Sequence, residues 1–597
     1  MRASSIDRGS RRLRRPLLAV ALALTACVAP ALAQDATPAS APPMSLLPSA
    51  GQSAFPEVQN TRDVKVQVQD LAALDPNATG VLDKPHGGLG TEMWGGSQLI
   101  VAQKSLALLP VNSPSRVARS LERRLLLSAA AVPAGKLDGP SLIKLRADKL
   151  WGLGDVDGLS ALLKGVPSSA ITPDLRRVEV DAAVLAGDNA TACNELPALR
   201  SENPQDVQPA KLQVYCQFVA GKGNEAGLGI DVLREQKIND PAFFAAADAL
   251  SGIAPGKLDG FAAASPLAMA MARNAKLPLP ELAAANASAA VLKSIALNPS
   301  ATPEARLSAG ERSEMLGLIS VDSLRQVYEG LTFKPDELGA AVVSVGNDKS
   351  ARSRALLYRA ALQEQAPPVR AQIIAKSLSL SEDNGAVYAM NARVLAPMIV
   401  ALSPQDPAFA SFAPLAARAL FAAGQLQPAE LWLGLARAQG LSNDSLAQAA
   451  LALWPLSRLT QPVQDETPIA SPALAAWQKA QGSPKPEVAA RRVAVLYSLL
   501  SAFGGKVPAE DWAALLDGPA TAAMTEPRPG LWMGLKFASE QGRTAETAAL
   551  ALATLGDQPL DQVDPIQLYR VVSALRLVGL DADARALAVE AAIANGV

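Results

Sequence analysis

One histidine, three cysteines and an aromatic content of 4% across 597 residues remove several functional classes before any motif is sought. A single imidazole excludes metal centres built on paired histidines and leaves the commonest general base nearly absent. Charge of either sign is not in surplus. Lys and Arg number 55 against 56 Asp and Glu, a net charge of -1. The chain therefore lacks the basic excess that draws phosphate backbones, and nucleic acid is not an expected partner. Beyond the N-terminus there is no run of about 18 or more apolar residues, so no transmembrane span is expected in the mature chain. Gly-x-x-x-x-Gly-Lys-Ser/Thr, Gly-x-Ser-x-Gly, His-Glu-x-x-His and Cys-x-x-Cys are all missing. Ser141-Leu142-Ile143-Lys144 matches Ser-x-x-Lys, and Ser201-Glu202-Asn203 resembles a companion motif, but no Lys-Thr-Gly or Lys-Ser-Gly completes the set. Ser141 beside Pro140 reads instead as the start of a helix. Catalytic residues, cofactor-binding residues and metal ligands are accordingly all assigned as none, and the chain is read as a non-enzyme.

What is present begins with an address. Arg11, Arg12, Arg14 and Arg15 precede the apolar stretch from Leu17 to Ala26, and Ala31-Leu32-Ala33 supplies small residues before a cut between Ala33 and Gln34. This is the pattern of a bacterial export signal and implies a periplasmic protein. Leu24-Thr25-Ala26-Cys27 offers an alternative cut, because it resembles the lipobox at which a cysteine is lipidated. Under that reading Cys27 anchors an outer-membrane lipoprotein. Residues 34–60 are rich in Pro, Ala and Ser, the composition of a solvated tether. Removal of the signal leaves Cys193 and Cys216, an even number in a compartment that permits disulfides. A bond between them would contribute roughly 3 kcal/mol by shortening the unfolded chain's reach. Two buried thiols are the alternative.

Val64, Val66 and Val68 alternate with polar residues as a half-buried strand would, and Asp75-Pro76-Asn77-Ala78-Thr79-Gly80 reads as a turn, so a short β-hairpin is expected. After the glycine-rich segment from His86 to Ser97 the punctuation is helical. Ser113-Pro114, Thr172-Pro173, Asp240-Pro241, Thr302-Pro303, Asp406-Pro407 and Asp564-Pro565 each pair an N-cap oxygen with a residue suited to the first helical position. Gly154, Gly187 and Gly221 recur at intervals of 33 and 34 residues, with Trp151, Val184 and Phe218 in one apolar column and Leu163, Leu196 and Ile230 in another. Glycine at the end of the first helix permits the left-handed turn into the second. Gly154-Asp155-Val156-Asp157-Gly158-Leu159 resembles the turn of a tetratricopeptide repeat, although most aromatic positions of that repeat are missing. Stacked helical pairs share a continuous core, which predicts an all-α, tetratricopeptide-like α-solenoid with a small N-terminal β/loop segment. The expected organisation is a signal peptide at 1–33, a tether at 34–60 and a hairpin with a glycine-rich segment at 61–96. A first repeat region at 97–255, a less regular helical region at 256–350 and a second repeat region at 351–597 follow, with a Pro-rich break near 460–486.

Few residues stand out as binding candidates. Trp94 can stack a sugar or peptide while Glu92 accepts its hydrogen bonds, but the preferred reading buries Trp94 as an anchor and uses Ser97 as a helix cap. Arg116, Arg119 and Arg123, at i, i+3 and i+7, form a basic stripe suited to an acidic partner, although such a face is more often merely solvated. Glu311 and Glu314 are likewise read as a solvated face.

The N-terminal block carries a wider resemblance. Gly80-Val81-Leu82-Asp83, then Gly87-Gly88-Leu89-Gly90 with Met93, Trp94 and Gly96, then Arg123-Arg124-Leu125-Leu126-Leu127-Ser128 before helical repeats, is similar to a family of exported alphaproteobacterial helical-repeat proteins. Its members often carry the label "antifreeze glycopeptide polyprotein". Ala-Ala-Thr arrays are missing here, so the label implies nothing about ice. The export signal and the expected solenoid, with its long curved surface, point to an exported scaffold or adaptor that binds an envelope protein or peptide, and the resemblance adds an accessory role at the flagellar motor among the functions such proteins serve. The alternatives are a cell-wall protein that binds or cleaves peptidoglycan through Glu92 and Trp94, and a lipid-anchored outer-membrane assembly factor.

Overall fold

A computed structural model describes residues 75–461, 469, 471–481, 485–513, 515–516 and 528–597. All of them belong to one compact unit, Ala72–Val597. The export signal with Cys27, Ala33 and Gln34, the tether, and Val64, Val66 and Val68 lie outside the described residues.

Helical hairpins follow one another along the unit, and among the described residues there is no strand. Only isolated bridges form, Leu82 with Ser128 and Gln98 with Ala134. The expected turn at 75–80 is a short 3-10 helix, Pro76–Ala78, capped by the Asp75 side chain. The unit is thus an all-α, solenoid-like array.

Local sequence signals account for much of it. Gly154, Gly187 and Gly221 all adopt positive φ, at 79°, 81° and 72°, and each ends a first helix. At Gly154 a second constraint applies, since an added Cβ would lie 2.5 Å from the backbone of Ala289. Thr172, Asp240, Thr302 and Asp564 cap the helices that begin at the following proline. Two expected starts shift. The helix Arg116–Leu127 is capped by Ser115 and not Ser113, while Asp406-Pro407 opens only a 3-10 turn, Pro407–Phe409. The disulfide Cys193–Cys216 forms, joining the helix Asn189–Asn194 to the helix Gln208–Val219 and tying neighbouring repeats together. Within the Pro-rich break, Ser471–Ala480 is helical.

The region 256–350 departs from simple stacking. Its helix Pro266–Asn274 packs on Pro173–Ala186, and Ala289–Ala296 packs on Leu142–Leu153, so the chain doubles back over the first repeats. The helix Pro303–Met315 then meets Val321–Glu329, Ala351–Gln363 and Gly385–Val400. A second return joins the two ends of the unit, because Arg116–Leu127 packs against Thr544–Leu555 and Asp581–Ala594.

Candidate interaction surface

The N-terminal candidates do not converge. Trp94 is 6% exposed and packs beside Met93 in the core, whereas Glu92 points to solvent. The peptide carbonyl of Met93 accepts from the N–H of Ala545, so this segment caps the helix Thr544–Leu555. Ser97 does not act as the expected cap. Its hydroxyl is buried without a hydrogen-bond partner, and the helix starts at Leu99 with Gln98 at its head.

Nor is the basic stripe a free face. Arg116 donates to the Glu314 carboxylate at 2.7 Å, and Arg393 donates to both oxygens of the same group at 2.8 Å. Arg119, 4% exposed, spreads its guanidinium over the carbonyls of Leu316, Val111 and Leu153. Arg123 pairs with Asp155 at 2.6 Å and alone of the three is exposed. The stripe is turned inward because the doubled-back region, through Glu314 and Leu316, and the nearby Val111, Leu153 and Asp155 supply its acceptors. Glu314 and Glu311 are therefore not solvated. Glu314 is fully buried between Arg116 and Arg393, and Glu311 accepts from Arg354 at 2.9 and 2.5 Å and from the Tyr328 hydroxyl at 2.6 Å. Buried carboxylates persist where arginines compensate them.

Two further carboxylates complete this seam between the ends of the unit. Glu590 accepts from the Ser115 hydroxyl at 2.5 Å and from the N–H groups of Arg116 and Val117 at 2.9 and 3.3 Å. It thereby caps a helix that lies 475 residues earlier in the chain. Burial raises its pKa, opposed by those hydrogen bonds and the charge of Arg393. Glu122 is also fully buried, but neither of its oxygens has a hydrogen-bond partner. Desolvation pushes its pKa up to about 8 despite the nearby charges of Arg119 and Lys149. Arg124 closes the seam's edge by donating to both oxygens of Asp583 at 2.7 and 2.9 Å. These groups are spent on holding the fold, and the apolar cleft beside them is lined by Val117, Leu121, Leu552 and Leu587 and holds only about 10 Å³. That is room for roughly one water.

A different surface remains open on the helix Pro529–Glu540. Leu535, Ala538 and Ser539 face the core, while Trp532, Met533 and Phe537 are 38%, 36% and 45% exposed. The neighbouring helix Pro565–Leu577 presents Ile566 and Tyr569 to solvent, and its Arg570 guanidinium lies 4.3 Å from the centre of the Trp532 ring. The sequence reading passed over these residues, although a helix apolar on both sides signals that each side needs a cover. Among the described residues no three His, Cys, Asp or Glu side chains converge as a metal site, and no helix is long and apolar enough to cross a membrane. No family model, no curated protein and no solved structure matches this chain.

Proposed function

We propose that this chain is an exported, non-enzymatic scaffold of the bacterial cell envelope that binds a protein or peptide partner. The exposed aromatic face around Trp532 carries the reading. Large apolar side chains gathered on one surface of a water-facing helix mark interaction sites, because their hydration is relieved only by a partner. Helical arrays suit this role by displaying side chains on a rigid frame. Arg11 to Arg15, the apolar stretch from Leu17 to Ala26 and the small residues before Gln34 support export, and the Cys193–Cys216 disulfide is compatible with an oxidising compartment. The cell-wall alternative is not favoured, since Trp94 is buried and offers no ring face to a sugar beside the exposed Glu92.

Crosslinking a tagged chain in living cells, followed by mass spectrometry of the envelope fraction, tests the proposal. A reproducible protein partner at near-stoichiometric yield is the expected outcome. Recovery of peptidoglycan fragments with no protein would overturn it. Reading the mature N-terminus from the same sample decides between Gln34 and a lipidated Cys27.

A further inference from the structure

Resting on the scaffold reading, we infer that the Trp532 face is the docking site and that its occupant is an acidic, amphipathic peptide segment of the partner. The apolar half of that description follows from Trp532, Met533 and Phe537, which a helix or strand with aliphatic or aromatic side chains would cover. The acidic half follows from the charges around them. Arg570 stacks on Trp532 and, among the described residues, has no carboxylate partner. A guanidinium seated over an indole face spends no N–H donor on the ring plane's edge, and its fork of donors can receive a carboxylate with two parallel bonds.

The surroundings reinforce the sign. Arg528 is exposed at the head of the same helix, which starts without a side-chain cap, so the positive end of its dipole adds to the field beside Trp532. Lys536 stands between Met533 and Phe537. Among the described residues it pairs only with Glu540, 3.9 Å away at the far end of the helix, with both side chains half exposed. The carboxylate of Asp564, the closest acid at the start of the neighbouring helix, is engaged with the N–H groups of Ile566 and Gln567. The face is thus aromatic and cationic together, and a basic partner would be repelled by it.

The test uses the full-length mature chain and two synthetic helical peptides carrying a fluorophore. One has Leu and Phe at i, i+3, i+4 and i+7 with Glu elsewhere, and the other has Lys in place of every Glu. The Glu peptide is expected to bind, with Arg570→Glu weakening it by about tenfold or more and Arg570→Lys by less. Trp532→Ala with Phe537→Ala should weaken it comparably. Equal binding of both peptides, no binding of either, or indifference to these substitutions would overturn the inference. Equal depletion of the chain by anionic vesicles, or a dimer that Trp532→Ala dissolves, would also overturn it by naming another occupant. A photocrosslinker at Met533, compared with ones at the exposed Val343 and Leu441, separates this inference from the reading beneath it. Capture of one partner through an acidic stretch at Met533, lost with Arg570→Glu, supports both. Capture only from Val343 or Leu441 would sink the site and leave the scaffold standing. Capture from none would sink both.

Discussion

Arginine occupies two opposite situations in this fold, on the helix Arg116–Leu127 and on the helix Pro565–Leu577. The first helix presents a regular basic stripe in sequence, yet Arg116 and Arg119 are consumed by Glu314 and by three backbone carbonyls. The second has no stripe, yet its half-buried Arg570 lies over Trp532 with no carboxylate partner among the described residues. Spacing along a helix decides which residues share a face but not what that face meets. In a chain that doubles back, an acceptor such as Glu314 reaches Arg116 from 198 residues away, and a patterned surface turns into an interior seam.

Four measurements would break or sharpen this contrast. Removing the buried acceptor should have the largest effect. Glu314→Ala leaves Arg116 and Arg393 facing each other without a carboxylate, and should cost about 3–5 kcal/mol, read as early opening of the helix Arg116–Leu127 in hydrogen exchange. The seam's unpartnered carboxyl gives a pH signature. With its pKa raised from 4.5 to about 8, Glu122 holds a proton in the native state that the unfolded chain has already released. Its contribution to stability should therefore fall as pH rises from 4.5 to about 8, by on the order of 1.4 kcal/mol per pH unit, and then level off. Glu122→Gln keeps the group neutral, so urea midpoints of variant and parent should diverge across that window in the variant's favour. A parallel pair of curves would show that the seam admits water to Glu122.

Smaller changes follow at the cap and on the open face. Glu590→Ala deprives Ser115 and two N–H groups of their acceptor, and about 1–2 kcal/mol should be lost at the same helix, visible as faster exchange near residue 116. Arg570→Glu should shift the urea midpoint by no more than about 0.5 kcal/mol in stability, since the side chain is held only by a ring face. A loss as large as that of Glu314→Ala would erase the distinction between seam and surface.

Local signals were legible where neighbours in sequence are neighbours in space. The glycines at 154, 187 and 221, the caps at Thr172 and Asp564 and the Cys193–Cys216 pair all belong to helices that pack on the next helix along the chain. Register failed at 256–350 because Pro266–Asn274 and Ala289–Ala296 pack back on Pro173–Ala186 and Leu142–Leu153 as well as on their neighbours in sequence. Glu311 and Glu314 show the same limit. Two acids one turn apart describe a solvated face until Arg354, Arg393 and Arg116 are brought to them by the fold. Trp532 was within reach of a sequence argument, since Leu535 and Ala538 supply one apolar side of its helix and Trp532, Met533 and Phe537 a second.

The contact of Arg116–Leu127 with Thr544–Leu555 and Asp581–Ala594 also governs the order in which the molecule can be made. Synthesis delivers Ser115 and Arg116 long before Glu590, 475 residues after Ser115, so the helix Arg116–Leu127 must wait with part of its apolar side uncovered. Contacts of such separation slow folding. Removing Asp581–Ala594 would uncover part of Arg116–Leu127, and a nascent chain of this protein stays open to holding by chaperones until that late helix emerges.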